Sequence, residues 1–433
     1  MTKFLKLIFS LILITGCSFN DSTGFWSKNQ KLKKVENKLK PLTKKEKNIT
    51  KEFNLNFLLK LNPSLIKINK NSFYDNNDGY TKYIGQFKEV SKYNFSKIEN
   101  YENVEPELIF FKNNVIFFDN NGTILNFDHN SKLIWKTNIY SKEEKKLNPL
   151  LSMNVINDRL IIVDNLSKLY SLNIKDGSTL WSENHKSPFN SQIKILKEYF
   201  FTIDSNNILI CYSVKDGKEI WSYKTEKPFV NSTKRLSIVI KDDLVIFNNS
   251  IGDITGLNIQ SGALEWQIST QNTESFSELI DFKTSDLVVN DNSIFFSNNK
   301  NNFYSIDSAT GSINWKQKVD SFIKPTIIGD LIFTISEEGY FFIIEKNNGN
   351  IIRINDIFKN YKRNRKNTIY PTGFILNHKD VFISTSKGKL FTMNLESGNI
   401  MNIIKVDNNK ISRPWVKNNN MYLVKDNSIL KLN

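Results

Sequence analysis

From about residue 104 onward, the chain alternates short apolar runs with polar turn clusters. One copy of the pattern begins with the run Leu151 to Ile156 and continues through Arg159-Leu160-Ile161-Ile162-Val163. Lys168-Leu169-Tyr170-Ser171-Leu172-Asn173-Ile174 follows, and Ser178-Thr179-Leu180-Trp181-Ser182 closes the copy. These short runs, rich in β-branched and aromatic residues, predict four strands joined by hairpins. Between the third and fourth, Lys175-Asp176-Gly177 predicts a tight turn whose positive φ comes from the Asp-Gly pair.

The closing signature recurs. Lys215-Asp216-Gly217 precedes Trp221, Ser261-Gly262 precedes Trp266, and Thr310-Gly311 precedes Trp315, each Trp four residues after its Gly. Asn130-Ser131 with Trp135 is an earlier copy without the Gly. Later copies keep Gly349 and Gly398 but carry Arg353 and Asn402 at the Trp position. Units of about 45 residues with four strands each are the signature of a β-propeller. At that fixed site the Trp is expected to fill the space between neighbouring blades.

Seven such units are followed by an incomplete one. Its runs are Ile411 to Val416, Met421-Tyr422-Leu423-Val424 and Ser428 to Leu432, three strands in all. Three strands alone would leave an open edge. The stretch Gly85-Gln86-Phe87-Lys88-Glu89-Val90, continuing toward Phe95 and Ile98, is a spare strand that can close it. The expectation is therefore an all-β chain: an eight-bladed β-propeller of four-stranded antiparallel blades, occupying residues 86–433, its ring closed by an N-terminal strand.

The N-terminal region reads differently. Lys3 and Lys6 precede an apolar run from Leu7 to Ile14, too short to span a bilayer but matching the apolar core of a secretory signal. Ile14-Thr15-Gly16-Cys17 resembles the bacterial lipobox. That resemblance implies a signal peptide over residues 1–16 and a lipid on Cys17, and Ser18 implies sorting to the outer membrane. Ten lysines against two glutamates lie between residues 28 and 51, a net +8 within a chain total of +15. Residues 17–52 therefore read as a lipidated, self-repelling tether that anionic headgroups would attract. Residues 53–85 form an extension whose structure the pattern leaves open. A place in the cell envelope argues against a nucleic-acid partner despite the basicity. Cys211 is the sole cysteine besides Cys17, so no intramolecular disulfide is expected.

The unit Leu-Tyr-Ser-Leu-Asn-x-x-Asp-Gly-x-x-x-Trp resembles the pyrroloquinoline quinone (PQQ) type propeller repeat. Two envelope families use that repeat: the quinoprotein dehydrogenases and the BamB family of outer-membrane lipoproteins. With a lipobox, eight units and little else, the chain is more similar to the second. The dehydrogenase alternative would call for adjacent cysteines, a catalytic Asp and calcium-binding carboxylates. Here there is no Cys-Cys pair, and His129, His185 and His378 fall in separate turns or loops. The expectation is a non-enzyme without cofactor or metal.

Resemblance to the BamB family implies a scaffold in the outer-membrane β-barrel assembly machinery. It would sit on the periplasmic face of the outer membrane, binding the POTRA domains of BamA alongside the other subunits and assisting insertion of unfolded outer-membrane proteins. The family uses two adjacent inter-blade loops, one contributing apolar residues and an Arg, the other acidic residues. Here they run from Trp221 to about Ile238 and from Trp266 to about Asp286. Val230 matches the apolar position and Asp281 an acidic one. Ser232, Thr233 and Lys283 depart from the pattern, and Lys234 and Arg235 lie just beyond the family's Arg. Val230, Lys234, Arg235 and Asp281 are thus the expected partner-binding residues. A third reading, resting on basicity alone, is a propeller lipoprotein for another envelope partner, a glycan or polyanion.

Overall fold

A computed structural model describes residue 49 and residues 51–61, 72–228, 230–270 and 282–433. The expected signal peptide, Cys17 and most of the tether lie outside the described residues, as do residues 62–71 and Asp281. Residues 48–433 form one compact unit.

The unit contains eight four-stranded antiparallel sheets. Blade 1 is β2–β5 (residues 109–137), and blade 2 is β6–β9 (151–184). Blade 3 is β10–β13 (194–224), blade 4 β14–β17 (238–269), and blade 5 β18–β21 (288–317). Blade 6 is β22–β25 (326–356), and blade 7 is β26–β29 (371–405). Blade 8 combines β30–β32 (415–432) with β1, Glu89–Asn94, which pairs antiparallel to β32. The spare N-terminal strand therefore closes the ring as expected.

Successive side chains on a strand point to opposite faces, so each sheet serves two neighbours. Phe200 of β11 (Tyr199–Ile203) packs toward blade 2 with Ile161 and Val163, while Phe201 packs toward blade 4 with Ile238 and Phe247. The hydrophobic cores thus lie between blades. Cys211 is buried in one of them, where desolvation pushes its thiol up to about 12.

The turn between third and fourth strands departs from expectation in one respect. Positive φ falls on the glycine alone, as at Gly177 and Gly217, and not on the preceding Asp. The turn is wider than a two-residue hairpin, with the Gly177 N–H donating to Asn173 O at 2.8 Å. A register shift sits beside it, between Ser171 and Leu172, and recurs at the corresponding turn between Cys211 and Tyr212 and between Gly256 and Leu257.

 In β20–β21 the same shift falls between Ser305 and Ile306. A glycine in the left-handed region next to a bulge lets the outer strand turn back without splaying the pair.

The Trp stripe lies between blades, as expected. A Cβ added at Gly177, Gly217, Gly262 or Gly311 would stand 2.6 Å from the ring of Trp135, Trp181, Trp221 or Trp266, each on the preceding blade. Four of the indoles also bond across the gap. Trp135, Trp181, Trp266 and Trp315 donate their Nε1–H to the carbonyls of Ile174, Val214, Ser308 and Lys346, at 3.0, 3.1, 3.2 and 2.8 Å.

Candidate partner-binding face and the filled axis

In a four-stranded meander, the loop from the outer strand of one blade to the inner strand of the next emerges on one face of the ring. The two loops singled out by sequence belong to this connecting face, following blades 3 and 4. Neighbouring inner strands contact one another, β10 (Lys194–Leu196) with β14 (Ile238–Lys241) and β14 with β18 (Val288–Asn290), so the beginnings of the inner strands surround the axis at this face.

The axis is occupied by the chain itself. After α1, Ser72–Asp75, the segment continues through Asn76 and Asn77. The Asn76 side-chain amide donates to Ser237 Oγ (3.1 Å), Ile238 O (3.3 Å), Leu287 O (3.0 Å) and Gln192 Oε1 (3.2 Å). Those acceptors belong to the approaches or inner strands of blades 3, 4 and 5. One short side chain can reach three blades only from the axis. Asn77 then exchanges bonds with the backbone of Ile327 in blade 6, and residues 79–81 pair with Leu376 in blade 7. Further on, the Asn377 amide holds Tyr83 O, and Lys88 and Asn433 exchange backbone bonds. The segment therefore runs down the axis before supplying β1 to blade 8.

Charges ring the same mouth. Asp78 accepts from Lys324 Nζ at 2.9 Å and Arg413 Nη2 at 3.0 Å. Burial opposes ionisation of Asp78, but these two cations outweigh it and hold the carboxyl well below the usual range. Asp286 lies 3.6 Å from Lys234 Nζ and 3.8 Å from Lys324 Nζ. Burial raises its pKa, and the surrounding Lys234, Lys324, Arg235 and Arg413 bring it down to about 2. Lys194 Nζ donates to the Asn76 side-chain oxygen. Desolvation, then repulsion from Lys324, lowers its amine to about 8.

Two expected contact residues, Lys234 and Arg235, turn toward this inward network. Lys234 is buried, and its Nζ donates to Phe322 O at 2.8 Å. Arg235 bonds Glu107 of the blade 1 approach at 2.6 Å. Their charges are attracted across the axis and do not project from the loop. Ser232 turns its hydroxyl to Lys234 O, and Asn190 Nδ2 ties Ser232 O to the blade 3 approach. Val230, by contrast, is exposed, and Thr233 beside it is exposed too. Asp281 lies outside the described residues, while Lys283 Nζ sits 5.4 Å from the Phe322 ring centroid. Of the four residues, the structure thus brings Lys234 and Arg235 together at the axis and leaves Val230 on the surface.

Sequence reading missed the axial segment. Its only local signal is Asn76-Asn77-Asp78-Gly79, which has the composition of a solvated turn.

Possible acid–base groups elsewhere are hairpin supports. His185 Nδ1 meets the Tyr212 hydroxyl at 3.0 Å, and its Nε2 lies 3.4 Å from Asp204. The other Asp204 oxygen accepts the backbone N–H of Asn206 and Ile208. Blade 2 builds the same support from Tyr140, Asp164 and Tyr170 with no histidine.

The fold defines the chain as a β-propeller of PQQ-like repeats. A family model described as "Outer membrane protein assembly factor BamB" matches residues 120–355, and the chain belongs to that family. An uncharacterized protein of Rickettsia prowazekii (strain Madrid E) is 23% identical over 207 residues, 44% of this chain and 49% of that protein. The chain thus spans about half the length of that curated relative. Among solved structures, BamB from Moraxella catarrhalis aligns with a TM-score of 0.65 at 16% identity, covering 80% of this chain and 99% of its own. A europium-containing methanol dehydrogenase aligns with a TM-score of 0.63 at 8% identity, covering 79% and 86%. The C-terminal WD40 domain of Sif2 gives 0.60 at 10%, covering 81% and 99%. At these identities the likenesses establish the ring, and residues must distinguish its uses.

The described residues fit a metal–quinone site poorly. Among them no group of three His, Cys, Asp or Glu side chains is placed to hold a metal ion. The carboxylates at the axial mouth are neutralised by lysine and arginine, and the backbone of residues 74–81 fills the axis.

Proposed function

We propose that the chain is a non-catalytic scaffold of the outer-membrane β-barrel assembly machinery, lipid-anchored through Cys17 on the periplasmic face of the outer membrane. In this reading its connecting face binds the POTRA domains of BamA, in company with the other subunits, and thereby assists insertion of outer-membrane proteins. Nucleic acid has no part in it.

The observation that carries the proposal is the filled axis, taken with membership of the family. A ring whose centre is occupied by its own Asn76, Asn77 and Asp78 offers partners its outer surfaces. On the connecting face, Val230 stands 42% exposed in a loop whose following residues are pinned from within. Val230 supplies an apolar contact and Asp281 a charged one. Lys234 and Arg235 serve the same face indirectly, by holding the loop to the axis.

The test is affinity for purified BamA POTRA domains. Val230→Asp should weaken binding by about 30-fold, the loss expected of a hot-spot side chain. Asp281→Lys should slow association and alter its salt dependence. Lys234→Ala should lower the melting temperature before it alters affinity in the folded protein. Undiminished affinity in both Val230→Asp and Asp281→Lys would discard the two-loop assignment. Absence of binding by the folded wild-type chain would discard the scaffold reading.

A further inference from the structure

One outer edge of the ring carries an added segment. Residues 51–61 run beside β25 (Ile351–Asp356) of blade 6. Phe53 and Ile354 exchange backbone bonds at 3.1 and 3.0 Å, and Asn54 Nδ2 donates to Ile352 O. The buried Arg353 guanidinium holds Phe57 O, and Leu59 N–H reaches Glu396 O at the turn of blade 7. Leu59 enters the core between blades 6 and 7. The four large apolar residues before it do not: Phe53, Leu55, Phe57 and Leu58 are 51, 39, 38 and 59% exposed. So dense a run of exposed apolar side chains, held by backbone bonds, marks an interaction surface.

Cationic side chains stand beside the start of this run. The loop leaving β25 contains Lys359, Lys362, Arg363, Arg365 and Lys366, and no acidic residue occurs from Ile357 to Lys379. Lys359 approaches Glu52 at 3.9 Å, which places the loop against the added segment. Lys366 pairs with Asp356. Lys362, Arg363 and Arg365 are exposed and form no ion pair among the described residues. The chain leading into Lys51 continues the positive charge, with ten lysines against two glutamates over residues 28–51.

We propose that this edge of blade 6 is a membrane-contact surface for anionic phospholipid. The apolar side chains of residues 53–58 enter the boundary between headgroups and acyl chains, and Lys362, Arg363 and Arg365 meet the lipid phosphates. Exposed aliphatic and aromatic residues next to unpaired cations are the combination that binds an anionic interface. An acidic protein or a nucleic acid would use the cations but leave Leu55 and Leu58 without a purpose. The inference does not depend on BamA, and it concerns the ring itself, apart from any lipid on Cys17.

The test is co-sedimentation of residues 48–433, the compact unit that holds all eight blades. The vesicles are phosphatidylcholine alone, or equal parts phosphatidylcholine and phosphatidylglycerol. Binding is expected to the mixed vesicles and not to phosphatidylcholine, and it should fall as salt is added. Combined Lys362→Ala, Arg363→Ala and Arg365→Ala should weaken partitioning by about 100-fold, a factor of about five for each charge. Combined Phe53→Ser and Leu58→Ser should weaken it by about tenfold with its salt dependence retained. Circular dichroism checks the fold of each variant, and the exposed charge variant remains decisive if the apolar one misfolds. Equal partitioning of wild type and charge variant, failure of the wild type to sediment, or preference for a single-stranded oligonucleotide over the mixed vesicles would overturn the proposal.

Discussion

At the scale of single residues, the repeat is a lock between an indole and a glycine. Gly217 has φ of 72°, and an added Cβ would lie 2.6 Å from Trp181. Gly217→Ala therefore meets both a left-handed backbone and a clash, and Trp181→Ala should cost about 3–5 kcal/mol through the cavity it leaves. Thermal unfolding of both variants should show lowered midpoints, and the double variant should lose less than the sum of the two, because they act on one contact. The departures from the lock have physical reasons. Arg353 stands where a Trp is expected because it bonds three carbonyls, those of Phe57, Glu396 and Leu395. Its burial lowers the guanidinium to about 10. Arg353→Met should leave these carbonyls unpaired and release residues 51–61, detectable as new limited-proteolysis cleavage there. Asn402 is exposed, and the next blade's third and fourth strands come from opposite ends of the chain and so share no turn for an indole to cover.

At the scale of elements, the strands were legible because period-two alternation and turn residues are local properties. β1 was legible for a different reason: an eighth unit with three strands demanded a fourth. The axial segment obeys no period. Asn76 is specified by acceptors at Gln192, Ser237, Ile238 and Leu287, all distant in sequence, so nothing near it in the chain announces its role. The inward direction of Lys234 and Arg235 was illegible for a related reason. Charged residues in a loop normally face water, and only Asp286, Phe322 and Glu107 across the axis turn them inward. Asn76→Ala should cost about 2–4 kcal/mol, since it removes the donor and leaves buried acceptors behind. Denaturant unfolding checks the loss. An unchanged midpoint would mean that the axial segment contributes little to holding the blades together.

At the scale of the whole molecule, the axial charges tie stability to pH. The Asp78 and Asp286 carboxyls have lower pKa values folded than unfolded. Their contribution is present above the unfolded value of 3.8 and is lost as pH falls through about 2 for Asp286. For Asp286 that contribution is about 2 kcal/mol. Lys194 has the opposite consequence: its protonation opposes folding at neutral pH, and the opposition fades as pH rises from about 8 toward 10.5. Melting temperatures across the acid range should drop below pH 4, and Asp286→Asn should flatten that drop. An identical acid profile in the variant would place the sensitivity elsewhere.

Ring closure also sets an order of events in time. The Tyr101 hydroxyl bonds Val424 O across 323 positions, and β1 pairs with β32 over a similar separation. Seven blades can form as local meanders while the chain is being made, but β1 must wait for β32. Until then its edge stays open, and the axial segment just before it has only part of its ring to grip. The slow step of folding should therefore be this single long-range closure. A chain held up before β32 would present an unpaired strand and an unfilled centre at the moment when aggregation is most competitive.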